Sequence, residues 1–304
     1  MDAPIQSIEA AELADAHLQL FIKREDLLHP HISGNKWRKL KYNIIEAQKQ
    51  GHDTLLTFGG AFSNHIYATA AAGREFGLHT IGLIRGEEHL PLNPTLQFAT
   101  DQGMRLYYVS RAEYRQKNHS AFIRQLHEKY GNFYLLPEGG TNVLAVKGCT
   151  EMVNHLPHYD CICCSCGTGG TLAGILSGLQ GKSQVVGFSA LKGGDFLKTE
   201  VDQLTKAYDG RVHQNYQIIS DFHFGGYAKA TQALVDFINA FKQEHHIQLD
   251  PVYTGKMLYG IFSLAKQGFF AKNNTILAIH TGGVQGIAGF NAQHKSKKMH
   301  ILVD

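Results

Sequence analysis

"YDCICCSCGTGGTLAGILSGL", residues 159–179, places an apolar run, a row of glycines and threonines, and a helical pattern in direct succession. Cysteine behaves as a small hydrophobe that tolerates full burial, so Cys161, Cys163 and their neighbours read as an interior strand. Gly167, Thr168, Gly169, Gly170 and Thr171 then crowd backbone N–H groups together at the start of a helix. That end carries positive potential, and the two hydroxyls add donors without a formal charge. A phosphate fits such a cup, and a tight structural turn is the plainer alternative. The spacing is not the G-x-G-x-x-G of a dinucleotide site, the acidic residue expected after the second strand is not evident, and the lysine of a nucleotide P-loop is missing.

Outward from this stretch the same alternation continues. "HLQLFIKRED" reads as a strand, "HPHISG" as a break, and "NKWRKLKYNIIEAQKQG" as a helix with Trp37, Leu40, Ile44 and Ile45 on or near one side. "DTLLTFGG" is a strand running into a turn. In "SNHIYATAAAGREFG", Ser63 or Asn64 caps an alanine-rich helix that Gly77 closes. Strands follow in "LHTIGLIRG", "MRLYYVS", "SQVVGFSAL" and "NTILAIHTGG", with helices in "NPTLQFATDQG" and "KATQALVDFINAFKQEH". Short apolar runs alternating with helical patterns imply parallel sheets covered by helices, an α/β chain.

The 304 residues, 43% of them apolar, are enough for a sizeable core and for two domains. Twenty-nine Lys and Arg against twenty-six Asp and Glu leave +3, without a polybasic tail, which argues against nucleic acid or a membrane surface as partner. Four of the five cysteines fall within positions 161–166. Neighbours on a strand point to opposite faces, so they cannot converge on a metal, and no metal site is expected. Reduced cysteines, an N-terminus unlike a signal peptide and the lack of a long apolar run lead to the expectation of a cytoplasmic protein.

"SGNKWRKLKY", residues 33–42, crowds four basic side chains around the single tryptophan. Lys36 sits at the start of the predicted helix, where the dipole and any burial favour the neutral amine. Lys39 and Lys41 are expected to reach solvent more easily. Only a neutral amine attacks an aldehyde, so Lys36 and an uncharged phosphate cup together suggest pyridoxal phosphate. A solvated basic face is the competing explanation.

The stretches "KREDLLHPHISGNKWRKLKY", "TFGGAFSNHIYATAAAGREFGL", "LLPEGGTN", "CGTGGTLAG", "LDPVYTGKM" and "IHTGG" decide between them. In this order and spacing, over about residues 20–285, they resemble the pyridoxal-phosphate enzymes grouped as 1-aminocyclopropane-1-carboxylate (ACC) deaminase and D-cysteine desulfhydrase. The resemblance implies the two-domain fold type II, similar to tryptophan synthase β, each domain a sheet flanked by helices. It places residues 1–49 and 158–304 in a larger cofactor-binding domain and 50–157 in a smaller one, and it implies a homodimer acting on a small amino acid.

By the same resemblance Lys36 is the Schiff-base lysine and Gly167, Thr168, Gly169, Gly170 and Thr171 form the phosphate cup. Ser63, Asn64 and His65 hold the substrate carboxylate and the hydroxyl side of the pyridine ring, and Tyr253 overlooks the cofactor. Independently of it, "GGAFSNH" sets a hydroxyl, an amide and a helix N-terminus together, suited to a carboxylate, although helix capping alone would explain the pattern. Tyr253 could assist proton transfer or simply be a buried tyrosine. Thr281, at the end of an apolar strand, is a candidate partner for the pyridine nitrogen.

Deaminases of this group carry a glutamate after the tyrosine of "DPVY" and a leucine before the last paired glycines. Thr254 and Thr281 stand there instead and point to β-elimination from D-cysteine, with Thr254 a candidate substrate contact; ACC deamination and a fold that binds cofactor without turnover are the alternatives. Phe62 and Tyr67 replace a glutamine and an arginine, which is expected to make the pocket less polar. Residues 190–226 carry little of the group's pattern and are expected to cover the site or form an interface.

Overall fold

The computed structural model describes residues 2–294 and 299–303. Its strands are β1 (Ile5–Ile8), β2 (Gln19–Lys23), β3 (Thr54–Gly59), β4 (His79–Arg85), β5 (Arg105–Val109), β6 (Tyr134–Leu136), β7 (Cys161–Cys166), β8 (Gln184–Ser189), β9 (Tyr216–Ile219) and β10 (Thr275–Ile279). The helices are α1 (Ala11–Asp15), α2 (Asn35–Lys49), α3 (Asn64–Phe76), α4 (Pro94–Asp101), α5 (Arg111–Tyr114), α6 (Ser120–Tyr130), α7 (Val143–Thr150), α8 (Gly170–Leu179), α9 (Phe196–Asp209), α10 (Gln232–His245), α11 (Thr254–Lys266) and α12 (Gly286–His294). The α/β class read from the alternation is the one observed.

Two sheets result, with strand orders β1-β2-β10-β7-β8-β9 and β5-β4-β3-β6. Every pairing is parallel except that of β1 with β2. The cysteine-rich strand β7 lies inside the larger sheet, in register with β10 on one side and β8 on the other. Its side chains alternate as a two-sided interior strand must. Cys161 and Cys163 enter the apolar cluster with α10 and α11, whereas Ile162, Cys164 and Cys166 enter the one with α8 and α9. All five cysteines are free and buried.

The smaller sheet is covered in the same manner. Leu55 packs with Ala68 and Ala72 of α3, while Leu56 and Phe58 face Phe122 and Leu126 of α6. Helix α2 bridges the two halves of the molecule. Leu40, Ile44 and Ala47 join the cluster around Leu55, and Arg38 on another side makes a buried ion pair with Glu25 (2.9 Å) and reaches Glu151 at 3.0 Å. Trp37 packs at the edge of that cluster and stacks on His29.

Residues 190–226, where the sequence showed little pattern, contain α9 and β9. Among the described residues no helix is long and apolar enough to cross a membrane, and no group of three or more His, Cys, Asp or Glu could hold a metal ion.

Candidate active site

Carboxyl ends of parallel strands leave a crevice where α/β proteins gather ligands. Here a cavity of about 720 Å³ opens at the ends of β7 and β10, bounded across from them by the turn after β3 and the start of α3. Lys36, Ser63, Asn64, His65, Gly167, Thr168, Gly169, Thr171, Tyr253 and Thr281 all line it. Gly170 and Thr254 do not. Gly170 opens α8, and Thr254 is fully buried, its hydroxyl given to Asp250 Oδ1 at 2.7 Å.

Lys36 enters the cavity from the first turn of α2. Gly34 makes this entry possible: its φ is +63°, and a Cβ there would lie 2.0 Å from the Thr281 carbonyl oxygen. The backbone N–H of Asn35 donates to that same oxygen at 3.2 Å, so the start of α2 is tied to the end of β10. Lys36 Nζ donates to Gly139 O at 3.2 Å. Burial holds its pKa well below the ordinary lysine value, and the neighbouring Lys39 charge depresses it further. The result is an amine that gives up its proton more readily than an exposed lysine and is to that extent more available as a nucleophile or a base.

The structure corrects the expectation for Lys39. Lys41 does sit near solvent, paired with Glu151 at 2.7 Å, but Lys39 is only 2% exposed and points inward. Residues three apart share a helix face, so Lys36 and Lys39 enter the crevice together; that spacing was the available signal. Lys39 Nζ donates to Thr141 Oγ1 at 3.0 Å and lies 3.5 Å from Thr168 Oγ1, and the two threonine hydroxyls are 2.6 Å apart. Asn35 Nδ2 donates to Thr171 Oγ1 at 2.9 Å. The glycine loop is thus a cup of hydroxyls and backbone at the start of α8, with one buried cation beneath it. A phosphate needs such a donor set.

Ser63 is the N-cap of α3, its Oγ accepting from the backbone N–H groups of His65 and Ile66 at 3.2 and 3.3 Å. His65 is 2% exposed and pairs with Thr57 Oγ1 at 2.8 Å. Since Thr57 donates to the Leu136 carbonyl, His65 Nε2 must carry the proton. Burial, then the charges of Lys36 and Lys39, hold its pKa well below the ordinary histidine value and keep the ring neutral. At the other end, Thr281 Oγ1 and Ser165 Oγ lie 3.1 Å apart where β10 and β7 finish. Ser165 had no distinguishing pattern in the sequence.

Tyr253 comes from the turn before α11. Asp250 accepts the backbone N–H groups of Val252, Tyr253 and Thr254 at 2.8–2.9 Å and so fixes that turn. Tyr253 lies close to Gly167, where a Cβ would be 3.1 Å from its hydroxyl. Burial first, and Tyr227 next, push its pKa well above the ordinary tyrosine value, so the phenol keeps its proton. Tyr227 faces it edge-on at 6.1 Å between ring centroids. This second phenol, inside "FHFGGYAKA", was missed, although an aromatic following two glycines was visible.

Leu191 and Phe196 also line the cavity, so the segment without a clear pattern does border the site. Arg85, Lys117 and Glu138 close another side, with Lys117 Nζ 3.3 Å from Glu138; only the tertiary structure brings these three together. Phe62 lines the cavity as expected. Tyr67 does not. It stacks on Phe98 at 3.7 Å and hydrogen-bonds His31 at 3.1 Å, so its replacement of an arginine does not bear on the polarity of the cavity wall.

A crevice at strand ends, with a low-pKa lysine on one wall and a phosphate cup on another, defines an α/β enzyme built for a phosphorylated carbonyl cofactor. The chain belongs to the pyridoxal-phosphate dependent enzymes, whose family model matches residues 2–282, and it uses pyridoxal phosphate. It is 32% identical over 301 residues to a Pyrococcus furiosus protein provisionally named 1-aminocyclopropane-1-carboxylate deaminase, covering 94% of this chain and 90% of that protein. It is 32% identical over 295 residues to the mitochondrial bifunctional D-cysteine desulfhydrase/1-aminocyclopropane-1-carboxylate deaminase of Arabidopsis thaliana, covering 88% of this chain and 73% of the relative. A crystal structure of an ACC deaminase homologue superposes with a TM-score of 0.86 at 29% identity, covering 97% of this chain and 94% of the other.

Proposed function

We propose that the protein eliminates sulfide from D-cysteine, converting it with one water to pyruvate, hydrogen sulfide and ammonia. The observation that carries this reading is the convergence of Lys36, the Gly167–Thr171 cup, the Ser63 turn and the protonated Tyr253 on one cavity. The donors fit the cofactor: Lys39, Thr168 and Thr171 would hold its phosphate, Ser165 and Thr281 its ring nitrogen, and Lys36 its aldehyde carbon. Bound there, pyridoxal phosphate supplies an electron sink for negative charge developing at the amino-acid Cα.

The residues then divide the work. Ser63 and Asn64, with the backbone at the start of α3, take the substrate carboxylate and hold the Cα–H bond toward Lys36. The Lys36 amine, its proton affinity lowered by burial and by Lys39, accepts the α-proton. Tyr253 gives a proton to the departing sulfur. The released three-carbon enamine hydrolyses to pyruvate and ammonia. A neutral hydroxyl at Thr281, unlike a carboxylate, leaves the ring nitrogen without a charged partner.

ACC deamination to 2-oxobutyrate and ammonia is the second reading, favoured by the names of the relatives. Its substrate has no α-proton, so Ser63 and Tyr253 would have to act on the ring. Parallel assays of D-cysteine, L-cysteine, D-serine and ACC, with sulfide measured separately from 2-keto acid, discriminate. A kcat/KM for ACC far above that for D-cysteine would overturn the first choice. Spectral binding of every amino acid with no product would identify a chain that binds cofactor without turnover. Borohydride reduction and peptide mapping should mark Lys36; a label on Lys39 would overturn the assignment.

We also assign residues 1–49 with 158–304 to one domain and 50–157 to the other. All strands of the smaller sheet fall inside 50–157 and all strands of the larger sheet outside it, which supports the division. A cytoplasmic homodimer completes the proposal. Free, buried cysteines suit a reducing compartment, and the dimer rests on the resemblance to the family; light scattering tests it.

A further inference from the structure

Lys256 is a lysine that the cavity does not use. It lies in the first turn of α11, 2% exposed, and it does not line the site. An ammonium is poorly placed at a helix start and costly to bury. Its compensation is specific: Nζ donates to the carbonyls of His223 and Gly226, each at 2.8 Å.

Those two carbonyls belong to the connection between β9 and α10, and each closes a turn. Gly226 N donates to His223 O at 3.0 Å, and Lys229 N donates to Gly226 O at 3.1 Å. Tyr227 follows the shared residue and is carried by the second turn into the cavity wall, edge-on to Tyr253. The connection is conformationally expensive. Phe224 and Ala228, neither of them glycine, have φ of +51° and +56°, a region that persists only where surrounding contacts impose it. Phe222 and Phe224 dock on Tyr259 of α11, which anchors the first turn through apolar contact. The carbonyls behind Tyr227 have Lys256.

We propose that Lys256 is a positioning residue whose buried ammonium gathers the two turn carbonyls and thereby holds Tyr227 over the cavity, opposite the Tyr253 that Asp250 sets in place. The two phenols facing the reacting atoms are then fixed by one buried polar layer, Asp250 for one and Lys256 for the other. The part that concerns turnover rests on the proposed reaction; the part that concerns the loop does not.

Amide hydrogen exchange on the holoenzyme tests the loop directly. In Lys256→Met, protection of the Gly226 and Lys229 amides should fall at least about tenfold, as expected when bonds to a charged donor are lost, while Lys36 still takes the borohydride label. Unchanged protection at both amides would overturn the proposal. The kinetic arm is a double-mutant cycle. K256M should lower kcat/KM for whichever substrate the wild type turns over, yet add less than about a twofold loss in a Tyr227→Phe background; fully additive losses would show that Lys256 does not act through Tyr227. If the wild type turns over neither D-cysteine nor ACC, the proposed reaction fails and the exchange result still decides the loop. Should K256M not fold, the wild type decides: its Gly226 and Lys229 amides should be at least about tenfold more protected than the exposed turn amide of Gly193, and equal protection would refute the clamp.

Discussion

Lys36 and Lys39 share one acceptor: both side-chain nitrogens reach the carbonyl oxygen of Gly139, at 3.2 and 3.4 Å. Two like charges converging one helical turn apart cannot both be comfortable in a crevice. Burial lowers the pKa of both, and the charge of Lys39 lowers that of Lys36 further. Lys39 keeps hydroxyl partners in Thr141 and Thr168 that Lys36 lacks. Lys36 is thereby the more readily deprotonated of the two, and Lys39 the one held among hydroxyls.

Replacing Lys39 with Met should therefore have two effects. Cofactor affinity should fall at least about tenfold, since a charge-assisted contact to phosphate is lost. The pKa of Lys36 should rise as its like-charged neighbour disappears. Equilibrium dialysis reads the first, and the pH midpoint of Lys36 labelling by an amine-selective reagent, followed by mass spectrometry of the apoprotein, reads the second. A midpoint that stays put or moves down would show that Lys39 does not tune Lys36.

The stability of the apoprotein should carry the same signature. With its folded pKa held below 10.5, Lys36 binds a proton in the unfolded chain over a range where the folded chain leaves it free. Stability then rises with pH across that window, by about 1.4 kcal/mol for each tenfold difference in proton affinity. His65 acts likewise below 6.5, where the unfolded chain takes up a proton that the folded chain refuses, so stability is lost as pH falls. Tm against pH for the wild type, Lys36→Met and His65→Gln checks both. Each variant should flatten its own limb, K36M the alkaline one and H65Q the acid one.

Gly34→Ala should be among the most damaging single-methyl changes in the chain. It adds a Cβ at φ +63°, 2.0 Å from the Thr281 oxygen. Left-handed strain and overpacking together come to about 3 kcal/mol or more. Urea unfolding should show a large loss, accompanied by weaker cofactor retention, because α2 would be pushed from the end of β10. A loss below about 1 kcal/mol would mean that the close approach relaxes easily.

Thr254 separates a substrate contact from a structural one. Its hydroxyl is committed to Asp250 inside the turn that carries Tyr253. Thr254→Ser should stay near the wild type, while Thr254→Val should cost about 1–3 kcal/mol by leaving Asp250 short of a donor, and should lower kcat through Tyr253. If T254S raised KM severalfold with stability unchanged, the residue would have to touch substrate after all.

How much of this could be read from the chain alone depended on the range of the interaction involved. Strand β7, the glycine cup and α8 were legible because burial alternation, loop chemistry and helix start are all encoded within about twenty consecutive residues. Lys36 and the Ser63 cap were legible for the same local reason, and the order of motifs along the chain resembled one family. Lys39 could have been read from its i+3 spacing to Lys36. Nothing local marks Ser165 as the partner of Thr281, Thr141 as the partner of Thr168, or Arg85 and Glu138 as parts of one wall, since each pairing joins residues from separate elements. Thr254 and Tyr67 illustrate the converse. Their positions beside known motifs pointed to the pocket, but the direction of a side chain is set by what packs around it, and Asp250 claims one while Phe98 claims the other. The sequence by itself determined the α/β fold, the cofactor and the lysine that enters the cavity, whereas only the tertiary structure decided which polar groups face the cavity, because a pKa or a hydrogen bond depends on neighbours that folding brings together, as it does Ser165 and Thr281 from 116 positions apart.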